Sequence, residues 1–261
     1  MYLEKLLVTL LAAPVIAPVP STLSHQVVAQ APAQQAPAPK APEAPKPAEA
    51  PKAAEAPKPT EKKASSPEVT ELVTRMQSFY EKTQDFSSEF KQDYKYKALR
   101  RTQTSTGKVT YKKPGLMRWE YEKPSARTFV LAGEKVYAYD PAAQSLSVGR
   151  IDTTQLSASV TFLFGQGKLA DEFSISKDAC KDCKGTLLVL DPLKADPRFR
   201  QVRLEVDPKT AQVLKSTVVD PDGSENTIAF LNLKTNVGVA ADSFKLNPPE
   251  GTRIDDYTKR K

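Results

Sequence analysis

A chain of 261 residues has room for one large or two small folded domains, and its formal charge of +7 with a pI near 9.2 favours acidic partners without naming them. Its single histidine, His25, precedes any plausible folded region, so neither a Ser-His or Cys-His nucleophile pair nor a His-ligated catalytic metal can be assembled. No paired-carboxylate motif stands out either, and the expectation is a protein with no catalytic residues, no metal and no cofactor.

Residues 1–29 read as a secretory signal. Lys5 supplies a thin positive start, residues 6–19 are apolar, and Val27-Val28-Ala29 offers a small-residue cleavage site before Gln30. The apolar run is shorter than the ~20 residues a membrane span needs, and Pro14, Pro18 and Pro20 interrupt its end. Retention as an uncleaved anchor is the alternative. Residues 30–65 form a low-complexity tract of Ala, Pro, Lys, Glu and Gln, which holds too little apolar surface to offset the entropy of ordering. It reads as an extended linker, of about 3.1 Å per residue where it is polyproline-like.

The folded domain is expected over residues 66–258. Ser65 or Ser66 can cap a first helix, Pro67 suits its first turn, and Glu68 and Glu71 favour its positive end. Val69, Leu72, Val73, Met76, Phe79 and Tyr80 then form one apolar stripe at helical spacing. From Phe86 the period changes to two. Phe86, Ser88, Phe90, Gln92, Tyr94 and Tyr96 share one side of a strand, and Ser87, Glu89, Lys91, Asp93, Lys95 and Lys97 the other.

Further strands are expected near 107–111, 116–121, 127–131, 135–139 and 145–148, divided by Lys113-Pro114-Gly115, Ala132-Gly133 and Asp140-Pro141. In the third of the chain's strands, Met117, Trp119 and Tyr121 face one way and Arg118 and Glu120 the other. Leu156, Val160, Phe162, Leu163 and Phe164 make an apolar stretch that reads as a short helix, or two, over 153–164. Strands follow near 172–176, 186–190, 201–206, 213–219 and 225–233, with turns at Asp207-Pro208 and Asp220-Pro221-Asp222-Gly223. About ten strands, an N-terminal helix and a mid-chain helical insertion make a single antiparallel domain of α+β class.

Cys180 and Cys183 lack the flanks of a redox motif, and no further cysteine or domain histidine is present to complete a zinc site. A small disulfide bracing a hairpin turn in an oxidising compartment is the reading that remains. Between Lys91 and Arg127 there are eleven basic residues against three acids. Tyrosines interleave with them, as on a nucleic-acid platform, but export argues against nucleic acid. A solvated strand face, an anionic lipid surface or an acidic patch on a membrane partner remain.

The run Lys113-Pro114-Gly115-Leu116-Met117-Arg118-Trp119-Glu120-Tyr121, followed by Gly133-Glu134-Lys135 and Tyr137-Ala138-Tyr139-Asp140-Pro141, resembles the outer-membrane lipoprotein carrier family, LolA. The first strand, with Phe86 and Phe90, and the segment from Ala241 to Gly251 are also similar to that family. The resemblance implies a strongly curved, incomplete antiparallel β-barrel whose apolar concave face is covered by helices. It implies a periplasmic monomer that takes acylated lipoproteins from an inner-membrane lipoprotein-releasing transporter to an outer-membrane acceptor or lipid surface. The alternative is a membrane-tethered or outer-membrane acceptor or sensor domain of similar fold.

By the same resemblance, Lys113 matches a basic residue that locks the family's lid, often an arginine there. A lysine keeps the charge but loses the planar fork. Trp119 and Met117 match residues of the cavity, Tyr137 and Tyr139 an aromatic pair, and residues 156–164 the lid helices. The expected ligand-binding set is Phe86, Phe90, Met117, Trp119, Tyr121 and Tyr137, with Leu156, Val160, Phe162, Leu163 and Phe164 from the lid.

Overall fold

The computed structural model describes residues 65–151 and 167–259. The signal sequence, nearly all of the linker and the five apolar residues from Leu156 to Phe164 lie outside the described residues.

Helix α1, Pro67–Lys82, begins where the sequence places its cap. The Ser66 hydroxyl accepts from the Val69 N–H at 3.3 Å, and Pro67 occupies the first turn, where its missing N–H costs nothing. Val69, Leu72, Met76 and Tyr80 are buried, while Val73 and Phe79 are partly buried and pack against the same cluster.

Among the described residues twelve strands form one curved sheet. Six run as a meander: β1 Asp85–Tyr96, β2 Arg101–Lys112, β3 Leu116–Lys123, β4 Arg127–Ala132, β5 Lys135–Asp140 and β6 Ser145–Arg150. A single helical turn, α2 Leu169–Glu172, leads into a second meander of β7 Phe173–Asp178, β8 Thr186–Pro192, β9 Gln201–Val206, β10 Val213–Val219 and β11 Glu225–Thr235. The meanders join where β11 pairs with β1, so β1 lies inside the sheet with a neighbour on each side. The last strand, β12 Arg253–Asp256, pairs with β6. The spatial order is β12-β6-β5-β4-β3-β2-β1-β11-β10-β9-β8-β7, and β12 and β7 do not pair, so hydrogen bonds do not close the sheet.

β12 corrects the all-antiparallel expectation, because it runs parallel to β6. A parallel neighbour needs a long return path. Here the chain from 236 to 252 supplies it, passing through a 3-10 turn at Ala241–Phe244 that packs against β3 and β4.

Two apolar clusters form on the face that carries the even-numbered residues of β1. The first packs α1 against β7 to β10, with Leu188, Leu190, Val202, Leu204 and Val213 buried beneath Leu72, Met76 and Tyr80. The second lies across β1 to β5. On this face the buried Gln92 amide donates to the Oδ1 of Asn226, also buried, at 2.9 Å.

Candidate functional site

Cross-strand register builds the second cluster in rows. Phe86, Tyr111, Met117, Leu131 and Val136 are successive partners from β1 to β5. The next row runs Ser88, Val109, Trp119, Phe129 and Ala138. The third runs Phe230, Phe90, Gly107 and Tyr121. Because side chains alternate along a strand, these rows share one face, and they bring five of the expected residues together: Phe86, Phe90, Met117, Trp119 and Tyr121.

Phe90 is the hub. Its ring meets Trp119 edge-on at 4.8 Å and Tyr121 at 5.1 Å, and Tyr121 meets Phe129 at 5.9 Å. Phe86 and Tyr111 form a second pair at 5.2 Å. Glycine at 107 lets the Phe90 ring and the Glu120 carbonyl approach so closely that no Cβ fits between them. The Trp119 indole N–H, buried with its ring, donates to the Met117 sulfur at 2.8 Å. Burial pushes the Tyr111 and Tyr121 phenols above their ordinary range, so both stay neutral at any physiological pH. The face is aromatic, uncharged and set on an unclosed sheet.

Tyr137 is not part of it. Its register partners are Val130 and Val148, one residue out of phase with Val136, so it lies on the opposite face of the sheet. Tyr139 shares that face, with Leu146 as its partner. The chain leading to β12 crosses the same side: Phe244 is buried, and Arg118 donates to the Ser243 and Lys245 carbonyls at 3.3 Å each. Tyr137 therefore stands apart from the other expected ligand-binding residues, and the alternation that separates it from Val136 is the physical reason.

Lys113 sits at the end of α1. Its ammonium donates to the Tyr80 carbonyl at 3.2 Å and the Glu81 carbonyl at 2.6 Å, at the negative end of the last helical turn. Any contact between Lys113 and residues 156–164 lies outside the described residues. The chain enters that interval at Ile151, buried in the aromatic cluster, and leaves it before Leu169, buried in the cluster beneath α1.

Several members of the face escaped the sequence reading: Val109, Tyr111, Phe129, Leu131, Val136 and Ile228. Alternation in 107–111 carried a signal for Val109 and Tyr111, whereas Phe129 and Leu131 sit in an apolar run that gives no side. Leu233 joins through a bulge, where Asn232 takes a left-handed φ of 56° and shifts the β1–β11 register.

Away from this face, Cys180 and Cys183 are joined by a disulfide in the β7–β8 connection. Glu205 anchors the end of that loop, accepting from the Lys184 N–H at 2.6 Å, the Gly185 N–H at 3.2 Å and the Lys215 ammonium at 2.8 Å. Among the described residues there is no group of three or more His, Cys, Asp and Glu placed to hold a metal ion.

The class of fold so defined is an open sheet that buries one aromatic, uncharged face. The family described as outer membrane lipoprotein carrier protein LolA matches residues 81–247, and the chain belongs to that family. It is similar to the outer-membrane lipoprotein carrier protein of Dechloromonas aromatica (strain RCB), at 28% identity over 183 residues, 70% of this chain and 86% of that relative. The carrier protein of Pseudomonas paraeruginosa (strain DSM 24068 / PA7) is 26% identical over 183 residues, with the same coverage of 70% and 86%. Among solved structures, a LolA superfamily protein from Nitrosomonas europaea aligns over 68% of this chain and 97% of its own, at 9% identity and a TM-score of 0.38.

Proposed function

We propose that the aromatic face holds the acyl chains of lipoproteins and that the protein carries them through the periplasm, from a releasing transporter in the inner membrane to an acceptor in the outer membrane. The observation that carries this reading is the contiguous apolar array of Phe86, Phe90, Met117, Trp119 and Tyr121 on one face of a sheet that hydrogen bonds leave open. Exposing one acyl chain of ordinary length to water costs on the order of 10 kcal/mol, at ~0.8 kcal/mol per methylene, so transfer between membranes needs a protein that covers it. Family membership and the carrier names of the relatives support the same assignment.

In this reading residues 1–29 are cleaved, 30–65 are a linker, and 66–258 form a monomeric carrier domain. Leu156, Val160, Phe162, Leu163 and Phe164 are the movable cover of this face. Phe86, Phe90, Met117, Trp119 and Tyr121 are the floor. Lys113, matched by resemblance to the family's lid lock, holds the end of α1. No chemical step is required of any residue.

The test pairs two measurements on variants of the cover: unfolding free energy, and retention of a triacylated lipoprotein in solution without detergent. Phe164→Ala is expected to cost clearly less than the ~2–5 kcal/mol of a packed core site, because a ligand space borders it. Phe164→Glu is expected to lose the lipoprotein, through desolvation of the carboxylate. A core-like loss of stability in Phe164→Ala, together with normal retention by Phe164→Glu, would make the segment a plug and sink the carrier mechanism.

A further inference from the structure

The hairpin joining β1 to β2 ends in Lys97-Ala98-Leu99-Arg100, and all four residues are exposed. Both strands are twelve residues long and stay in register up to the pair Tyr96 and Arg101, so the tip is held by an unbroken ladder. On one side it extends beyond its neighbour. The pairing of β2 with β3 stops at Thr106 opposite Lys123, leaving residues 101–105 without a strand on that edge.

Leu99, at 68% exposure, is the most exposed of the large apolar side chains among the described residues. A lone exposed leucine means little on its own. Its surroundings are what distinguish it. Lys95, Lys97, Arg100 and Arg101 lie within a few residues, with no acid between them in the chain. Lys95 approaches Glu225 at 3.9 Å, and the Lys97 side chain lies over Gly223, where it helps to lower the Asp222 carboxyl behind the hydrogen bonds from Ser224. Arg100 and Arg101 make no ion pair among the described residues.

We infer that this hairpin tip is a membrane-contact element, which lays its arginines on anionic phospholipid headgroups and sinks Leu99 to the acyl boundary. The tip offers one apolar side chain and two long cations that make no ion pair among the described residues, not a shaped groove. A diffuse anionic surface needs no complementary shape and rewards that combination, because charge attracts the tip and the leucine then buries. Guanidinium groups also match phosphate geometry, which a lysine tip would not. This goes beyond the cargo reading and does not depend on it. Vesicle binding is measured without cargo, so its failure leaves the carrier assignment standing.

The experiment uses the protein as the cell processes it, with vesicles of phosphatidylglycerol and phosphatidylethanolamine compared with phosphatidylcholine alone. Partitioning is expected on the anionic vesicles and not on the neutral ones, weakening as salt is added. The double variant Arg100→Glu/Arg101→Glu should lose on the order of tenfold in partitioning. Lys181→Glu/Lys209→Glu makes the same change in net charge at exposed sites elsewhere and should lose less than about twofold. In Leu99→Trp, brominated acyl chains should quench the new tryptophan. Equal losses in the two charge-matched doubles would reduce the effect to net charge and overturn the proposal. An unquenched tryptophan at 99, or hairpin variants that lose binding to an acidic membrane protein while vesicle binding is unchanged, would overturn it as well.

Discussion

Phe90 of β1 is paired across the ladder with Gly107 of β2, and a methyl group at position 107 would stand 3.0 Å from the Phe90 ring and 1.9 Å from the Glu120 carbonyl oxygen. The second contact is to backbone, at the point where the β2–β3 register shifts, so a rotamer change cannot relieve it. Gly107→Ala is expected to destabilise the fold by about 2 kcal/mol or more in urea titration, in the range of other overpacked sites. It should also alter the near-ultraviolet circular dichroism, since Phe90 positions Trp119 and Tyr121. A variant with unchanged stability and spectrum would mean that the aromatic face is not set by this close approach.

Lys113 ties the end of a helix to the turn between two strands. Lys113→Ala removes a cation from the negative end of α1 and its hydrogen bonds to the Tyr80 and Glu81 carbonyls, at a cost of about 1 kcal/mol. Hydrogen exchange should quicken at the last turn of α1 and stay unchanged in β8 and β9. Faster exchange throughout the sheet would show that the lysine supports more than the helix.

Glu205 makes stability depend on acid. Burial alone would raise its carboxyl, but the Lys215 ammonium and the N–H groups of Lys184 and Gly185 outweigh burial and hold it below the ordinary glutamate range. A carboxyl lowered in the folded state contributes fully above the unfolded value, and the contribution is lost as pH falls through the lowered one. Glu205→Gln is expected to cost about 1–3 kcal/mol at neutral pH, with the gap to the native protein closing under acid conditions. A gap that stays constant down to pH 3 would contradict the assignment.

The strands that could be read from sequence are those whose two faces differ chemically. β1 alternates large or neutral residues with charged ones, and its buried face matches that alternation through Phe86, Ser88, Phe90, Gln92 and Tyr94. The start of β2 was missed because Arg101 to Thr106 holds no large apolar residue; its pairing is imposed by β1 across the hairpin. β12, Arg253–Asp256, is three charges and one exposed isoleucine, and only the return of a distant segment to the edge of β6 makes it a strand. No local pattern records that.

The site was legible in the same measure. Met117, Trp119 and Tyr121 alternate with charged residues, so their common side could be read directly. Tyr137 could not be placed, because Val136, Tyr137, Ala138 and Tyr139 are apolar or aromatic on both faces and β4 alone decides which pairs inward. The partner of Lys113 depends on where α1 ends in space, which sequence spacing does not contain.

Trp119 is the only tryptophan in the chain and lies in the floor of the aromatic face, so its emission reports on that face alone. The most direct measurement adds a triacylated lipopeptide with brominated acyl chains to the protein and follows Trp119 fluorescence against an unbrominated control. If the face holds acyl chains, the brominated ligand quenches Trp119 saturably and the unbrominated control does not. A lipopeptide that binds by an independent assay and leaves Trp119 unquenched, or one that does not bind at all, would contradict the account.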